Sequence, residues 1–452
     1  MPSANLEVFS DDELTSQSGV WSQPMDSVYP VLTLPTEITS EIFIWCLPPT
    51  VPELDSEFKN GPHSSLAPLL VLWVCRKWRA IALSTPRLWT YLHLNLGEEM
   101  LESEVETLIN DWFCRAASCP LTFSVRGWHR MHAYAAEVVS NAVRRYAPQL
   151  QSVCLQLEST HFRRMGLEGI GPLKFTILEN LAISLPFMGD TGNARALEIF
   201  SDAPRLRQVS LAYRAVPSMF LLPYSQLLKL TCQATGDECL ALILGAPFLQ
   251  ELTFSAYGAD TSSSTVTVTH HHLHTLRLVG ESGADFLALL CLPSLETLHL
   301  ASDIISFPDK RNVFQLLQHS PSLRRFSTGY PITLLSVDWF STAMPNLTEV
   351  ELCGPSRPFF RDLCAMLDRA EHRYFLPHLR SLSLLNVRFG VRPAIQALWS
   401  RCTPSEEGSA LESFQLTWPR GVNVDPLSES IVIALTELVE QGMSIYVGPP
   451  LE

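Results

Sequence analysis

"LPSLETLHL" at residues 292–300 is one of five closely similar nine-residue segments that determine how this chain folds. The other four are "APRLRQVSL" (203–211), "APFLQELTF" (246–254), "MPNLTEVEL" (344–352) and "LPHLRSLSL" (376–384). Each contains the pattern Leu-x-x-Φ-x-Φ, where Φ is an apolar residue, with a proline two residues before the leucine. Apolar and polar residues alternate in this unit, which predicts a strand with one buried face.

The same pattern occurs eleven times, and successive copies are 21–32 residues apart. The first leucines of the copies are Leu150, Leu178, Leu206, Leu227, Leu249, Leu273, Leu295, Leu323, Leu347, Leu379 and Leu411. Helical segments such as "NVFQLLQHSP" (312–321) lie between them. A strand and a helix at this period cannot bury their own apolar faces, but stacked neighbours can.

These repeats predict an α/β solenoid over residues 148–452, with a parallel sheet on its concave side and helices on its convex side. The unit resembles the leucine-rich repeat, although no Asn or Cys regularly follows the strand. The last segment, "ESIVIALTELVEQGMSIYVGPP" (429–450), is typical of a helix that stops at Gly442 and is followed by one more strand. We expect this segment to cap the solenoid.

Two helical segments rich in large apolar residues precede the repeats. "LPTEITSEIFIWCL" (34–47) begins with a proline suited to a first turn, and "LWVCRKWRAIALSTPRLW" (72–89) holds three of the ten tryptophans. Their apolar residues recur at helical spacing, which predicts amphipathic helices. Such a short region has limited core of its own, so its aromatic residues favour contact with a partner.

Together these segments resemble the F-box motif, in the order that the family shows. The matching elements are Leu34-Pro35-x-Glu37-Ile38, Ile42-Phe43, Val74-Cys75-Arg76-x-Trp78-Arg79, Ile81-Ala82 and Leu88-Trp89. The resemblance implies three short helices that dock on a small adaptor protein, which links the chain to a cullin. It implies that the adaptor-binding residues are Leu34, Pro35, Ile38, Ile42, Phe43, Val74, Cys75, Trp78, Leu88 and Trp89. A longer connection at 48–65 departs from the family pattern, and irregular leucine repeats after the motif are similar to large fungal F-box families.

Four regions follow from these patterns. We predict an acidic, flexible tail over residues 1–30 and the F-box-like helical module over residues 31–97, with its acidic, Pro-rich loop at 48–65. Residues 98–147 form a helical linker or N-terminal cap, which contains a candidate strand in "PLTFSVRGW" (120–128). Residues 148–452 form the solenoid with its C-terminal cap.

The charge distribution argues against a nucleic-acid partner. The net charge is −14, but residues 1–58 hold ten acidic residues and no Lys or Arg, which leaves −4 for the rest. A nearly neutral body offers no broad basic surface for phosphates. The eleven cysteines are scattered without a CxxC pair, the N-terminus does not resemble a signal peptide, and no apolar run reaches about 18 residues. We therefore expect a cytoplasmic or nuclear protein without a membrane partner.

The solvent-facing positions of the strands are mostly polar, and aromatic residues follow several strands. An exposed set of this kind favours recognition of a target protein. The candidate target-binding residues are Tyr213, Lys229, Glu251, Tyr257, Arg277, His299, Arg325, Tyr330, Glu349, Glu351 and Trp418. Solvated strand faces with incidental aromatic residues explain the same pattern, and the mixed charges identify no particular ligand.

Signals for catalysis or metal binding are weak. "HHHLH" (270–274) includes the repeat leucine Leu273, which places its histidines in a turn before a strand, and we predict no metal or cofactor there. Cys114 beside Arg115 and Cys402 beside Arg401 are the candidate activated thiols, but we predict both to be buried in helices. Nucleotide-binding and hydrolase motifs are missing. We expect no catalytic residues.

The resemblance therefore implies a non-catalytic, substrate-recognition subunit of a cullin-RING (SCF-type) ubiquitin ligase, which directs an unknown target to degradation. One alternative is a scaffold that binds the adaptor or other proteins without driving ubiquitination. Another is a solenoid enzyme or ligand sensor with an unrecognised pocket.

Overall fold

A computed structural model describes most of the chain. The described residues are 33–47, 66–96, 102–127, 133–158, 162, 165, 171–185, 196–213, 215–256, 267–279, 285–301, 310–329, 336–403, 409–419 and 427–450. The predicted tail (1–30), the acidic loop (48–65), Tyr257 and Tyr330 lie outside them.

Fourteen strands form one parallel sheet, and within this sheet the strands lie side by side in the order in which they occur along the chain. The first seven are β1 (Tyr91–Leu96), β2 (Leu121–Gly127), β3 (Leu150–Leu157), β4 (Asn180–Leu185), β5 (Gln208–Tyr213), β6 (Lys229–Ala234) and β7 (Glu251–Ala256). β8 (Val268–Thr269) and β10 (Leu290–Cys291) pair in a small separate sheet. The large sheet continues with β9 (Thr275–Val279), β11 (Thr297–Ala301), β12 (Arg325–Thr328), β13 (Glu349–Cys353), β14 (Ser381–Leu385), β15 (Ser413–Thr417) and β16 (Ser444–Gly448).

All eleven predicted repeats contribute a strand. Ten of the strands begin two residues after the first leucine of the repeat, and β3 begins on Leu150 itself. The eleven leucines are at most 3% exposed, because each turns under the sheet into the core. The predicted α/β class with a large parallel sheet is therefore confirmed.

The sheet begins earlier than the repeats predict. β2 coincides with the candidate strand at 120–128, but β1 lies within the region assigned to the helical module and was not predicted. Trp89, just before β1, takes the place of the repeat leucine. It precedes Leu92 by three residues, as Leu150 precedes Val153. Leu92 and Val153 are equivalent positions, because both pair with Phe123 on β2. Residues 98–147, which the sequence assigns to a helical linker or N-terminal cap, contribute one strand of the sheet, β2, between two helices.

Helices connect most of the strands and precede the first one. They are α1 (Thr36–Trp45), α2 (Leu69–Leu72), α3 (Arg76–Leu83), α4 (Glu102–Ala116), α5 (Ala133–Tyr146), α6 (Gly236–Gly245), α7 (Lys310–Gln318), α8 (Asp338–Thr342), α9 (Arg357–Leu367), α10 (Arg392–Arg401) and α11 (Glu429–Glu440). The expected final helix and strand are present as α11 and β16, with Gly442 between them at a φ of 96°. None of the helices in the described ranges is long and apolar enough to cross a bilayer. One hydrophobic core runs from Phe43 to Met443.

The N-terminal helices are joined to the sheet through Trp89, which ends the 3₁₀-helix Pro86–Trp89. Its indole Nε1 donates a hydrogen bond to the Ala82 carbonyl at 3.0 Å, which fixes the end of α3. Its ring meets the edge of Trp112 on α4 at 4.9 Å between centroids. Trp112 Nε1 in turn donates to the Tyr91 carbonyl at 3.0 Å. These contacts tie α3, α4 and β1 together.

Near the C-terminal end, the buried guanidinium of Arg401 holds the loop that follows α9. Its Nε donates to the Leu367 carbonyl at 2.6 Å and its Nη1 to the Leu376 carbonyl at 2.8 Å. Its Nη2 donates to the Phe375 carbonyl. Burial, and then the positive charge of Arg369, lower the pKa of Arg401 to about 10, so the side chain stays charged at neutral pH.

Candidate functional site

The N-terminal helices expose an unusual number of large apolar side chains. α1 and α2 both pack on α3, yet Trp45 is 86% and Trp73 72% exposed. We define the apolar helical surface as the eight exposed apolar side chains of these helices and their ends: Ile38, Ile42, Trp45, Leu66, Leu70, Trp73, Val74 and Leu83. Exposed apolar side chains in such numbers are typical of a surface that meets a partner.

The ten residues that the F-box resemblance assigns to adaptor binding divide into two groups. Exposed or half-buried members are Leu34, Pro35, Ile38, Ile42, Val74, Cys75 and Trp78. The other three, Phe43, Leu88 and Trp89, are each only 1% exposed and belong to the interior. The prediction that these three contact a partner directly is wrong, because their side chains are buried.

Several contacts hold these helices together. Phe43 packs edge-on against Trp78, with 4.9 Å between the ring centroids. Cys75 caps α3, since its Sγ accepts the Trp78 backbone N–H at 3.4 Å. An exposed ion pair between Arg87 and Glu41, at 2.7 Å, links the 3₁₀-helix to α1. The exposed members thus rest on a fixed framework.

Sequence reasoning left five of the eight residues of the apolar helical surface out of the contact set: Trp45, Leu66, Leu70, Trp73 and Leu83. For Trp45 a signal was present, since it follows Ile38 by seven residues and therefore lies on the same helical face. For Leu70 and Trp73 the sequence carries no such signal, because α2 is only four residues long.

The strand register aligns the outward side chains of the repeats into rows across the sheet. The first row is Gln208, Lys229, Glu251, Thr275, Thr297, Arg325, Glu349, Ser381, Ser413 and Ser444. The second row is Ser210, Thr231, Thr253, Arg277, His299, Ser327, Glu351, Ser383, Gln415 and Tyr446. We call these two rows the polar face. The seven charged or histidine residues predicted to bind a target all lie on it.

Two ion pairs join neighbouring strands in the first row. Lys229 Nζ lies 3.0 Å from Glu251 Oε2, and Arg325 Nε lies 3.0 Å from Glu349 Oε1. All four side chains are about half exposed, so each pair stabilises the sheet by no more than about 1 kcal/mol. The two pairs neutralise four of the six charges on the polar face.

His299 lies on β11, and both neighbouring strands, β9 and β12, carry charged residues on the polar face. Its Nδ1 forms a hydrogen bond with Ser327 Oγ on the neighbouring strand. Burial, and then the positive charge of Arg277, lower the pKa of His299, which keeps the ring neutral at pH 7. The middle of the second row is therefore uncharged.

The aromatic residues predicted to flank the polar face differ in their environment. Tyr213 ends β5 with a left-handed φ of 57°, and its side chain is 57% exposed. Trp418 is half-buried and packs against the core. The prediction of an exposed Trp418 is met only in part, because one side of this residue packs against the core.

His270, in the "HHHLH" segment, is buried and has a structural role. Its Nε2 donates to the Ala246 carbonyl at 3.0 Å, and its Nδ1 accepts the His272 backbone N–H at 3.3 Å. Both ring nitrogens are engaged, which fixes a neutral tautomer. Among the residues that the structure describes, no group of three or more His, Cys, Asp or Glu is placed to hold a metal ion.

Acid should destabilise the protein through His270. Burial is the main cause that lowers its pKa below the ordinary 6.5, and the neighbouring histidines add to it. The unfolded chain then binds the proton more readily, so the stabilisation is present above pH 6.5 and is lost as the pH falls below that value towards the pKa of the folded state. We expect the midpoint of urea unfolding to fall between pH 7.5 and 5.5, and His270→Gln to weaken that pH dependence. The exposed His378→Gln, in a different repeat, is the control, and an equal effect of both changes would contradict the assignment.

The candidate thiols differ from expectation. Cys114 is exposed instead of buried, but the guanidinium of the adjacent Arg115 lies over the Trp89 ring at 4.9 Å. Cys402 is half-buried, and its Sγ donates to the Trp399 carbonyl at 3.1 Å. The adjacent Arg401 is committed to three carbonyls, as described above.

Comparisons with known proteins assign no family to the chain. No family model matches it, and a search of curated proteins found no match. Two surfaces with different chemistry therefore remain as candidate sites. They are the apolar helical surface at the N-terminal end and the polar face across the sheet.

Proposed function

We propose that the protein is the substrate-recognition subunit of a cullin-based ubiquitin ligase, which binds its adaptor through the apolar helical surface. The observation that carries this proposal is the exposure of eight large apolar side chains on helices that already pack on one another through other, buried apolar residues. The F-box-like order of motif elements supports the choice of partner. Tryptophan and other large apolar side chains are effective anchors at protein interfaces.

The framework beneath the surface favours tight docking. Phe43 and Trp89 are buried, and the Arg87–Glu41 ion pair holds α1 against the 3₁₀-helix. A surface held in this way loses little conformational freedom on binding, and less of the interaction energy is spent on ordering.

The remainder of the chain serves as a leucine-repeat solenoid, and its polar face forms the concave side that holds the target. Catalysis in the chain itself is not required. Binding would place the target near a ubiquitin-charged enzyme elsewhere in the complex, which raises the effective concentration of the reactants. No metal or cofactor takes part in this proposal.

A pair of matched isoleucine variants tests the docking surface. Ile38→Asp places a charge on the apolar helical surface, and we expect the full-length protein to lose at least about tenfold in affinity for the purified adaptor. Ile433→Asp, on the last helix, is the control, since Ile38 is 50% and Ile433 52% exposed. Biolayer interferometry measures both. The proposal fails if the wild-type protein does not bind, or if the two variants bind equally.

Ubiquitin transfer separates a receptor from a scaffold. The Leu34→Ala/Pro35→Ala double variant should lose the adaptor while the melting temperature of the protein is retained. If the wild-type complex binds adaptor and cullin but supports no ubiquitination of a bound protein, the scaffold function is favoured instead.

A further inference from the structure

The polar face carries two charges that the sheet itself leaves unpaired. We propose, on the basis of the function above, that these charges select a target segment that crosses the strands in an extended conformation. This segment carries an acidic and a basic side chain four residues apart. The acidic side chain binds Arg277, and the basic one binds Glu351.

Arg277 and Glu351 differ from the other charges of the polar face. Lys229 pairs with Glu251 and Arg325 pairs with Glu349. In the described part of the chain, neither Arg277 nor Glu351 takes part in an ion pair, and both side chains are accessible to solvent. The sheet thus presents one free positive and one free negative charge on the same face.

The register fixes the distance between these two charges. Arg277, on β9, aligns with His299 on β11, which aligns with Ser327 on β12 and then with Glu351 on β13. The two charges are therefore three strand steps apart in a single row. At about 4.8 Å between strands, this separation is about 14 Å.

An extended peptide matches this distance at one spacing. It advances about 3.4 Å per residue, so four residues span about 14 Å, and an even spacing points both side chains to the same face. Spacings of two and six residues span about 7 Å and about 20 Å, and odd spacings turn one side chain away. A peptide that runs along a strand meets only one of the two charges.

The residues between the two charges suit the intervening part of such a peptide. His299 is neutral and is hydrogen-bonded to Ser327, and Thr297 lies beside them in the first row. These side chains offer polar contacts without a competing charge. Since exposed ion pairs contribute little affinity, the Arg277 and Glu351 contacts determine register and specificity more than strength.

A selection from random peptides tests the inference with the full-length protein. Immobilised wild-type protein is used to enrich a displayed library of random twelve-residue peptides. We expect the enriched peptides to carry Asp or Glu four positions from Lys or Arg more often than at spacings of two or six. With Arg277→Glu, the preference should change to two basic residues four positions apart.

A synthetic peptide from the wild-type selection provides the quantitative measurement. We expect Arg277→Glu to weaken its binding about tenfold in fluorescence anisotropy. The control Arg392→Glu, at an exposed site on α10, should bind the peptide as the wild type does. Circular dichroism verifies that both variants are folded.

Three results would overturn the inference: no peptide is enriched, the enriched peptides lack the four-residue charge spacing, or Arg277→Glu selects the same peptides. The peptide selection needs no adaptor. A failure of adaptor docking therefore contradicts the proposed function without affecting this measurement. A failed peptide selection contradicts this inference without affecting the test of adaptor docking.

Discussion

Trp89→Ala is expected to lower the free energy of unfolding by about 3–5 kcal/mol, one of the two largest effects foreseen for this chain. The indole is 1% exposed, and its Nε1 donates to the Ala82 carbonyl at 3.0 Å. Its removal opens a cavity against Trp112 and leaves that buried carbonyl without this donor. Urea unfolding followed by circular dichroism measures the change.

Trp45→Ala is the matched control for this substitution. Trp45 is 86% exposed on the apolar helical surface, so its loss should alter the free energy of unfolding by less than about 0.5 kcal/mol. The same control should weaken adaptor binding. Equal destabilisation by the two substitutions would show that Trp89 does not join the helices to the sheet.

Arg401→Met is the second substitution with a large expected effect, a loss of about 3–5 kcal/mol in the free energy of unfolding. The guanidinium donates to the carbonyls of Leu367, Phe375 and Leu376, and it is 1% exposed. Methionine retains much of the side-chain volume but no donor, so three carbonyls lose their hydrogen bonds to a charged group. The loop after α9 should then become accessible to proteases.

Arg392→Met, on the same helix, removes the same charge from an exposed site. We expect it to leave the unfolding midpoint nearly unchanged and the loop resistant to limited proteolysis. The clamp assigned to Arg401 is disproved if Arg401→Met unfolds at the wild-type urea concentration.

The repeats were predictable because a single buried leucine marks each of them. Alternation of apolar and polar residues in "LETLHL" defines which side chains enter the core, and the other copies of the repeat follow the same alternation. β1 does not carry the repeat pattern because Trp89 replaces the leucine, although "YLHLNL" (91–96) alternates in the same way. The C-terminal strand was predictable from Gly442, whose positive φ ends the preceding segment.

The candidate surfaces were predictable in part. Strand alternation correctly placed Arg277, His299 and Glu351 outside, but only the register shows that they share one row. On the N-terminal helices, both Ile38 and Phe43 are apolar, so helical spacing does not reveal which of them turns inward. That choice depends on the packing of α1 against α3 and the 3₁₀-helix, which the sequence pattern does not specify.

The order of the strands has a consequence for how the chain is made. Each strand of the large sheet pairs with the strand of that sheet that precedes it in the sequence, so no pairing awaits a distant segment. A ribosome delivers about 5–20 residues per second, and a strand and its helix emerge within seconds. Each emerging repeat can therefore add to the folded edge that came before it. Between additions, the newest strand is the exposed edge, and the nascent chain is most open to aggregation there.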